Sequence, residues 1–584
     1  MIGTPKPVPE VVSIPVSRMK LRKRREKADR LIFIIALAIA CYLVLPPLFI
    51  MIWTSVMPGG KLTVAQPDLR AYADMFSSST LWELAGNTLF FAIGSSIGGF
   101  ILGTLMAWLV ARTDVPGKKL AYAITFVGFS TPGMLKIIGW ILLFGKNNGA
   151  INNWIKSFLG PEWTINIQSM GGMIFVESLF WMPMVFLMMV GPFRSMDPSL
   201  EESAYLSGAR PLRVYRSITA RLLLPSIFSA MILMFIRSIQ SFEVPIFLGV
   251  PGNVQVLTSF IYTDLHISFF PDYVKASAYG TILVLFLSLI MLTYYWGTRH
   301  ANRFRTITGK GFRPRTIKLG WRRWIGGAFL LVMFLIMIMP VCYVIFASFL
   351  PSVGKLQEFS WSLLTTNNYK ELDKFSGVIA SIGNSLIVAL ITSVLAVLFA
   401  LWISWLLVRS RVRGKWMLDQ LTSIPLVYPG VVLSLATLLF YLYVPILPIY
   451  GTIWIFVVAY VAYFTTYAMR YTQPALLQIH PDLEESAKVS GARWHTVFIR
   501  ILMPLLKPAM IGAWIFIFLH SIRELSIASL LYTSQTPVVA TKIMDMWANG
   551  DLNVLSAFGT IVTVVSVIVA AIVFTLVRGV GIKS

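Results

Sequence analysis

Twelve uninterrupted apolar runs divide this chain, each long enough to cross a hydrocarbon core of ~30 Å as a helix of about 20 residues. They fall near residues 31–55, 85–111, 120–145, 170–192, 222–248 and 277–297, then 326–350, 380–408, 418–446, 451–469, 503–531 and 556–577. Strands of a barrel would show alternating segments of about ten residues, and these runs are continuous. In lipid the backbone must satisfy its own polar groups, so the runs predict helices. A mean hydropathy of +0.75, with 57% hydrophobic and 13% charged residues over 584 positions, excludes an ordinary soluble domain. The expected fold is an all-α polytopic membrane protein.

A net charge of +24 could suggest a nucleic-acid partner, so the placement of the 49 Lys and Arg decides its meaning. Most fall in alternate connections: the tail, Arg112 to Lys119, Arg194 to Arg221, Arg299 to Arg323, Arg409 to Lys415, Arg470 to Lys507, and the final residues. One-sided placement of this kind is the positive-inside pattern. It predicts a multi-pass protein of the bacterial inner (cytoplasmic) membrane with both termini in the cytoplasm, attracted to anionic lipid and not to nucleic acid. Cys41 and Cys342 fall inside runs without a C-x-x-C and are expected to be small apolar core residues. A basic leader ahead of Ala40-Cys41 imitates an export signal, but the apolar stretch continues through Trp53, so an uncleaved first span is expected.

The sequence repeats itself. Asp197-Pro198-Ser199-Leu200-Glu201-Glu202-Ser203-Ala204-Tyr205-Leu206-Ser207-Gly208-Ala209-Arg210 returns as Pro481-Asp482-Leu483-Glu484-Glu485-Ser486-Ala487-Lys488-Val489-Ser490-Gly491-Ala492-Arg493, 283 positions on (Glu202 to Glu485). Asn87-Thr88-Leu89 recurs as Asn384-Ser385-Leu386, and Thr131-Pro132-Gly133 as Tyr428-Pro429-Gly430, both 297 positions on. These repeats divide the chain into a basic cytoplasmic tail (1–30), a first six-span unit (31–298), a basic cytoplasmic linker (299–325) and a second six-span unit (326–584). Six is even, so both units enter the bilayer in the same direction and form a parallel repeat about an axis along the membrane normal. The Pro and Gly residues at Pro132-Gly133, Pro183, Pro340 and Pro429-Gly430 interrupt spans. The repeated Pro-Gly pair is the better candidate for unwound backbone facing a pathway.

Each copy of the polar phrase reads as a helix of about three turns, ~15 Å long, between two spans. Pro198 and Pro481 suit its first position, and Asp197 suits the N-cap of the first copy. Glu201, Glu202, Glu484 and Glu485 lie near the positive end of its dipole. Gly208 and Gly491 fit a left-handed cap. Ser203, Ala204, Ser486 and Ala487 leave one side shallow enough to seat in a groove.

This phrase resembles the EAA loop in the membrane subunits of binding-protein-dependent ABC importers, whose pattern is Glu-Ala-Ala, three residues, Gly, then Pro about thirteen residues later. Here Glu485-Ser486-Ala487 leads to Gly491 and Pro504, and Glu202-Ser203-Ala204 leads to Gly208 and Pro225, four residues further than the pattern. Serine replaces the first alanine in both copies. The four extra residues amount to about one helical turn, either in the first arm or in the span after it. The resemblance covers roughly 85–297 and 380–578, with an additional leading span in each half. It implies the type I importer fold and a mechanism in which each short helix sits in a cleft of one ATP-binding subunit on the cytoplasmic side. Closure of that dimer then rocks the two halves between inward- and outward-facing states. Glu201, Glu202, Ala204, Gly208, Glu484, Glu485, Ala487 and Gly491 are the implied coupling residues. ATP and Mg would belong to the partner ATPase, since the Gly-Lys pairs at Lys61, Lys118, Lys146, Lys310, Lys355 and Lys415 are never followed by Ser or Thr as a phosphate-binding loop requires.

The stretch Arg237-Ser238-Ile239-Gln240-Ser241-Phe242-Glu243-Val244-Pro245, with Arg523-Glu524-Leu525-Ser526 in the matching region of the second half, makes this fused chain similar to ferric-iron permeases. Related permeases serve thiamine, polyamines and phosphonates. Recognition of the solute is then expected to reside mostly in a separate periplasmic binding protein. Ionisable residues inside spans cost about 2.5–3.5 kcal/mol on insertion scales and usually face a partner or a cavity. Lys136, Arg237, Glu243, Arg523 and Glu524 are therefore the pathway or gate candidates, with an alternative for Glu243 and Glu524 at the outer boundary beside a neighbouring cation.

An ion-coupled secondary transporter with two parallel six-helix repeats is the rival class, and it would need no ATPase groove. Catalysis by this chain is not expected: His266, His300, His480, His495 and His520 show no H-E-x-x-H or other metal spacing, and no nucleophile–base pair is evident.

Overall fold

Apolar segments become helices here because only helices satisfy their own backbone in lipid. The structure, a computed structural model, describes residues 16–57, 66–147, 149–196, 198–299, 316–352, 361–410, 412–444, 447–492 and 494–579. The first half contains α1 (Val16–Val56), α2 (Arg70–Ser77), α3 (Ser79–Arg112), α4 (Lys118–Ser130), α5 (Gly133–Phe144), α6 (Ala150–Leu159), α7 (Met170–Ser195), α8 (Pro198–Leu206), α9 (Pro211–Val214), α10 (Ala220–Ile239), α11 (Leu257–His266) and α12 (Tyr273–Arg299). The second contains α13 (Arg323–Ala347), α14 (Asn367–Glu371), α15 (Val378–Arg409), α16 (Lys415–Ser423), α17 (Gly430–Tyr443), α18 (Trp454–Gln478), α19 (Asp482–Val489), α20 (Trp494–Val497), α21 (Met503–Ile522), α22 (Ala528–Leu531), α23 (Val539–Ala548) and α24 (Leu552–Gly579). Among the described residues there is no strand, only an isolated bridge between Thr113 and Ile317. The chain is an all-α membrane protein of two tandem units.

Nine described helices are long and apolar enough to cross a membrane alone, and three further pairs pass only when taken together across a sharp bend. Two of those pairs are the expected spans 120–145 and 418–446, bent by 104° and 108° at Pro132-Gly133 and Pro429-Gly430. Contacts fix their direction. Arg112 at the end of α3 meets Glu201 just after α7, and Arg409 at the end of α15 meets Glu484 just after α18. Each pair of helices therefore ends on one side, and the bent pair between them must return across the bilayer. The same contact makes α18 a span, although Tyr460, Tyr463, Tyr467 and Arg470 lower its hydropathy below that of the nine.

The third bent pair, Pro245–Gly252 with Leu257–His266, turns by 78°. Its backbone at Gln255 and Leu257 is held by Asn87 and Thr88 near the start of α3, and α2, next to that start, packs on α12. The segment thus dips in and returns on the outer side. The expected span 222–248 correspondingly ends at Ile239. Six crossings per half result.

The two sequence units are not two spatial units. The leading helix α1 packs on α16 and α17 of the second half, where Tyr42 and Tyr441 hydroxyls lie 3.2 Å apart, while α13 packs on α4 and α5 of the first. The close approach of α13 needs Gly139: a Cβ there would lie 2.3 Å from the Pro340 carbonyl oxygen. This reciprocal exchange ties the halves together. Cys41 is half-buried on α1 and packs against the core, whereas Cys342 is exposed on α13 and is not the core residue its apolar run suggests.

Candidate functional site

The two polar phrases fold into α8 and α19, nine and eight residues long, or roughly 12–14 Å at ~1.5 Å per residue, slightly shorter than three turns. Asp197, the expected N-cap, lies outside the described residues. Pro481 stands before its helix rather than in it, and its carbonyl accepts from the Glu484 and Glu485 amides at 3.0 and 3.1 Å. Both helices end as expected, on Gly208 with φ +78° and Gly491 with φ +84°. There Ala209 and Ala492 donate back to Ala204 and Ala487, each at 3.0 Å. The serines that replace the first alanine turn their hydroxyls onto their own helix, Ser203 to Ser199 O at 2.7 Å and Ser486 to Asp482 O at 2.7 Å, which keeps that surface small.

The glutamate pairs divide into two roles by geometry. Glu201 and Glu484 turn inward: the Arg112 guanidinium and the Thr219 hydroxyl (2.7 Å) donate to Glu201, and Arg409 Nε donates to Glu484 at 2.7 Å. Arg409 also donates to the Leu476 and Ile479 carbonyls. Glu202 and Glu485 are exposed, Ala204 and Ala487 half-buried, and Gly208 and Gly491 exposed. On the outward faces the apolar Leu206 and Val489 are 90% and 89% exposed at equivalent positions.

After each arm comes a five-residue π-helical stretch, Tyr215–Thr219 and Phe498–Leu502, then α10 and α21, both of 20 residues. All of these begin 283 positions apart, so the first copy carries no four-residue insertion. The proline count was anchored on the wrong residue. Pro225 matches Pro508, inside α21, and Pro504 is an additional proline at that helix's start.

All five pathway candidates line one cavity of about 230 Å³ between the halves. Its walls are the two Pro-Gly bends, α7, α18, and the breaks that follow α10 and α21. A Cβ on Gly133 would lie 2.1 Å from Glu243 Oε2, and one on Gly430 would lie 2.6 Å from Ser526 Cβ, so the bends seat against equivalent positions. The basic groups are already engaged. Lys136 donates to Gly128 O at 2.9 Å and stands over the Phe180 ring. Arg523 reaches across the halves to the Phe129 and Thr131 carbonyls at 2.6 and 3.2 Å, so both cations cap the C-terminal end of α4. Arg237 crosses the other way, to the Tyr463 and Tyr467 hydroxyls, and also donates to Gln240.

The acids differ. Among the described residues no hydrogen bond or ion pair reaches the Glu243 carboxylate, whereas Glu524 is held by hydrogen bonds from Ser526 and from the Ile527 amide at 3.3 Å. Both acids line the cavity between the halves with Arg523 and Lys136 as neighbouring cations. Two lining residues were not singled out from the sequence. Glu177 is bonded by Trp181 (2.7 Å) and Ser241 (2.9 Å), and the cost of a charge inside the span 170–192 was signal enough to find it. His520 sits between Phe516 O (2.8 Å) and Arg523 (3.0 Å), contacts compatible only when Nδ1 carries the proton and Nε2 accepts. Its place follows from register: it, not Arg523, is the equivalent of Arg237. No three His, Cys, Asp or Glu side chains gather tightly enough among the described residues to hold a metal ion.

Residues 99–306 and 393–580 each match the family described as binding-protein-dependent transport system inner membrane component. The chain belongs to this family, with two such units fused, and is a permease of the bacterial inner membrane. It is 27% identical over 487 residues to the ferric transport system permease protein FbpB of Actinobacillus pleuropneumoniae, covering 82% of this chain and 68% of that one. With the putative ferric transport system permease protein FbpB 1 of Haemophilus influenzae it shares 26% over 542 residues, 90% of this chain and 82% of that one. The putrescine transport system permease protein PotI of Escherichia coli matches at 28% over 208 residues, 34% of this chain and 72% of that one. A solved bacterial alginate ABC transporter in complex with an alginate-bound periplasmic protein aligns with 42% of this chain and 85% of its own, at 19% identity and a TM-score of 0.34.

Proposed function

We propose that this chain is the membrane subunit of an ABC importer that takes a cation, foremost ferric iron, from a periplasmic binding protein. The observation that carries the solute class is the state of the charges in the central cavity. Its cations donate to carbonyls and phenols, whereas among the described residues Glu243, beside Lys136 and Arg523, keeps its carboxylate oxygens free of hydrogen bonds at the space. An anion such as a phosphonate would find those oxygens repulsive. A single free carboxylate, with Glu524 held by Ser526 and Ile527 beside it, suits passage better than storage, since a conducting site must also release. The ferric names of relatives that align over most of the chain support iron over a polyamine.

The drive comes from a separate dimer of ATP-binding subunits, which supplies ATP and Mg. The matched arms α8 and α19, each offering an exposed apolar side chain beside exposed glutamate, support two equivalent docking points for a symmetric partner. Both termini lie in the cytoplasm: an even number of crossings and the one-sided basic connections support this orientation. The test is stimulation of the assembled complex's ATPase by binding proteins loaded with ferric iron, thiamine, putrescine or 2-aminoethylphosphonate. Stimulation by iron alone is expected. A response only to the phosphonate overturns the cation reading, and a response only to thiamine or putrescine overturns iron.

A further inference from the structure

On the outer side, above the cavity, the two halves bring together a donor set that the transport pathway described so far leaves unused. In α11 the rings of Tyr262 and His266 stack at 4.7 Å, and the His266 ring in turn faces Tyr532 of the second half at 6.3 Å, nearly parallel. The Tyr532 hydroxyl donates to Asp545 Oδ1 at 3.1 Å. Among the described residues no hydrogen bond reaches the Tyr262 hydroxyl or the His266 ring, while Asp545 has its second oxygen to offer. Burial grades inward. His266 is exposed, Tyr532 and Asp545 are half-buried, and Tyr262 is 6% exposed. From Tyr262 the next ring, 5.4 Å away and edge-on, is Phe242, which lines the cavity.

We propose that Tyr262, His266, Tyr532 and Asp545 form a transient receiving site for a hard trivalent cation, Fe(III), at the outer mouth between the halves. Two phenols, a carboxylate and an imidazole supply oxygen-rich, hard donors, the kind a small, highly charged ion prefers over thiolate or thioether. Each phenol that coordinates releases its proton to solvent, so binding is tied to deprotonation. Because two donors come from each half, the site is whole only while α11 faces Tyr532 and α23 of the second half. Rocking the halves apart would divide the ligands and let the ion pass Phe242 toward Glu243 and Glu524. A site assembled and divided in this way hands its ion on and does not keep it.

This inference rests on iron being the solute, and the test separates the two. The full chain with its ATP-binding subunits, in nanodiscs, is titrated with Fe(III)-nitrilotriacetate while visible phenolate-to-iron charge-transfer absorption is read, and radiolabelled iron uptake is measured in parallel. Tyr262→Phe and Tyr532→Phe keep the ring stack and remove one donor each. The expected result is a band in the parent protein, binding weakened by about tenfold or more in each single variant, and no band in the double variant. A band that survives in the double variant is adventitious iron and overturns the site. A parent protein that imports iron without showing the band overturns the site alone, whereas one that imports another solute and no iron overturns the functional reading beneath it.

Discussion

Replacing Glu484 by glutamine tests whether the coupling arm is held by its inward acid. The Glu484 side chain is 4% exposed and its partner Arg409 12%, with 2.7 Å between Oε1 and Nε. Breaking a buried pair from one side costs about 3–5 kcal/mol, because the remaining charge keeps its desolvation without its counterion. At about 1.4 kcal/mol per tenfold, local opening of α19 should become roughly 100- to 4,000-fold more frequent, or reach the unprotected limit first. Hydrogen exchange reads this at the Ser490 and Ala492 amides, which donate to Ser486 and Ala487. Arm α8 serves as the internal control, since it has its own pair, Arg112 with Glu201.

Protection of α19 should fall while α8 stays unchanged, and uptake should fall with it. Replacing Arg409 by glutamine in the same chain removes the stranded charge and should restore part of the protection. Glu485→Lys, on the exposed side, should instead release the ATP-binding subunit with α19 still protected. Unchanged exchange in Glu484→Gln, or a double variant no better than the single one, would refute the division of the glutamate pair into an inward anchor and an outward contact.

Gly208→Ala and Gly491→Ala place a Cβ at φ +78° and +84°, which costs about 1–2 kcal/mol each, and exchange at Ala209 or Ala492 should accelerate accordingly. Gly139→Val drives a side chain into the Pro340 carbonyl where α13 crosses α5; thermal unfolding in detergent should show a loss of about 1–3 kcal/mol, with ATPase docking intact. Glu243→Ser should lower uptake by about tenfold, the equivalent of ~1.4 kcal/mol in a barrier. Adding Ser526→Glu, which returns a carboxylate at the matching position beside Gly430, should recover part of the uptake rate measured with labelled iron.

Much of this architecture was legible in the order of residues. Apolar length located the spans, and recurrence of Glu-Ser-Ala and Pro-Gly gave the two units. The cost of a charge in lipid picked out Lys136, Arg237, Glu243, Arg523 and Glu524, which the structure gathers around one cavity. What stayed hidden depends on contacts between distant segments. Apolar length says that α1 and α13 cross the bilayer but not that each packs on the opposite half. Both glutamates of each pair read alike in sequence, because only the ends of α3 and α15, some 75–89 residues away, decide which one faces Arg112 or Arg409. The proline count failed for a similar reason. Pro504 and Pro508 stand within one turn, and nothing local says which of them corresponds to Pro225.

The positions that repeat faithfully and those that do not follow different physical demands. In the arms, Arg112 and Arg409, Glu201 and Glu484, Ser203 and Ser486, and Gly208 and Gly491 keep the same chemistry, as the proposed pair of docking points for one symmetric driver requires. Around the cavity the equivalents diverge: Arg237 with His520, Gln240 with Arg523, Ser241 with Glu524, Glu243 with Ser526, Lys136 with Leu433. Strict symmetry there would set like charges face to face across the axis. At ~4 Å and an effective dielectric of about 20, each such pair costs roughly 4 kcal/mol. Sharing unlike charges between the halves removes that repulsion. It also lets Arg237 and Arg523 each reach into the opposite half, at Tyr463 and Tyr467 and at the α4 carbonyls. If the proposed rocking separates the halves those crossings must break, so the asymmetry that makes the cavity tolerable would also make its opening depend on work done at the arms.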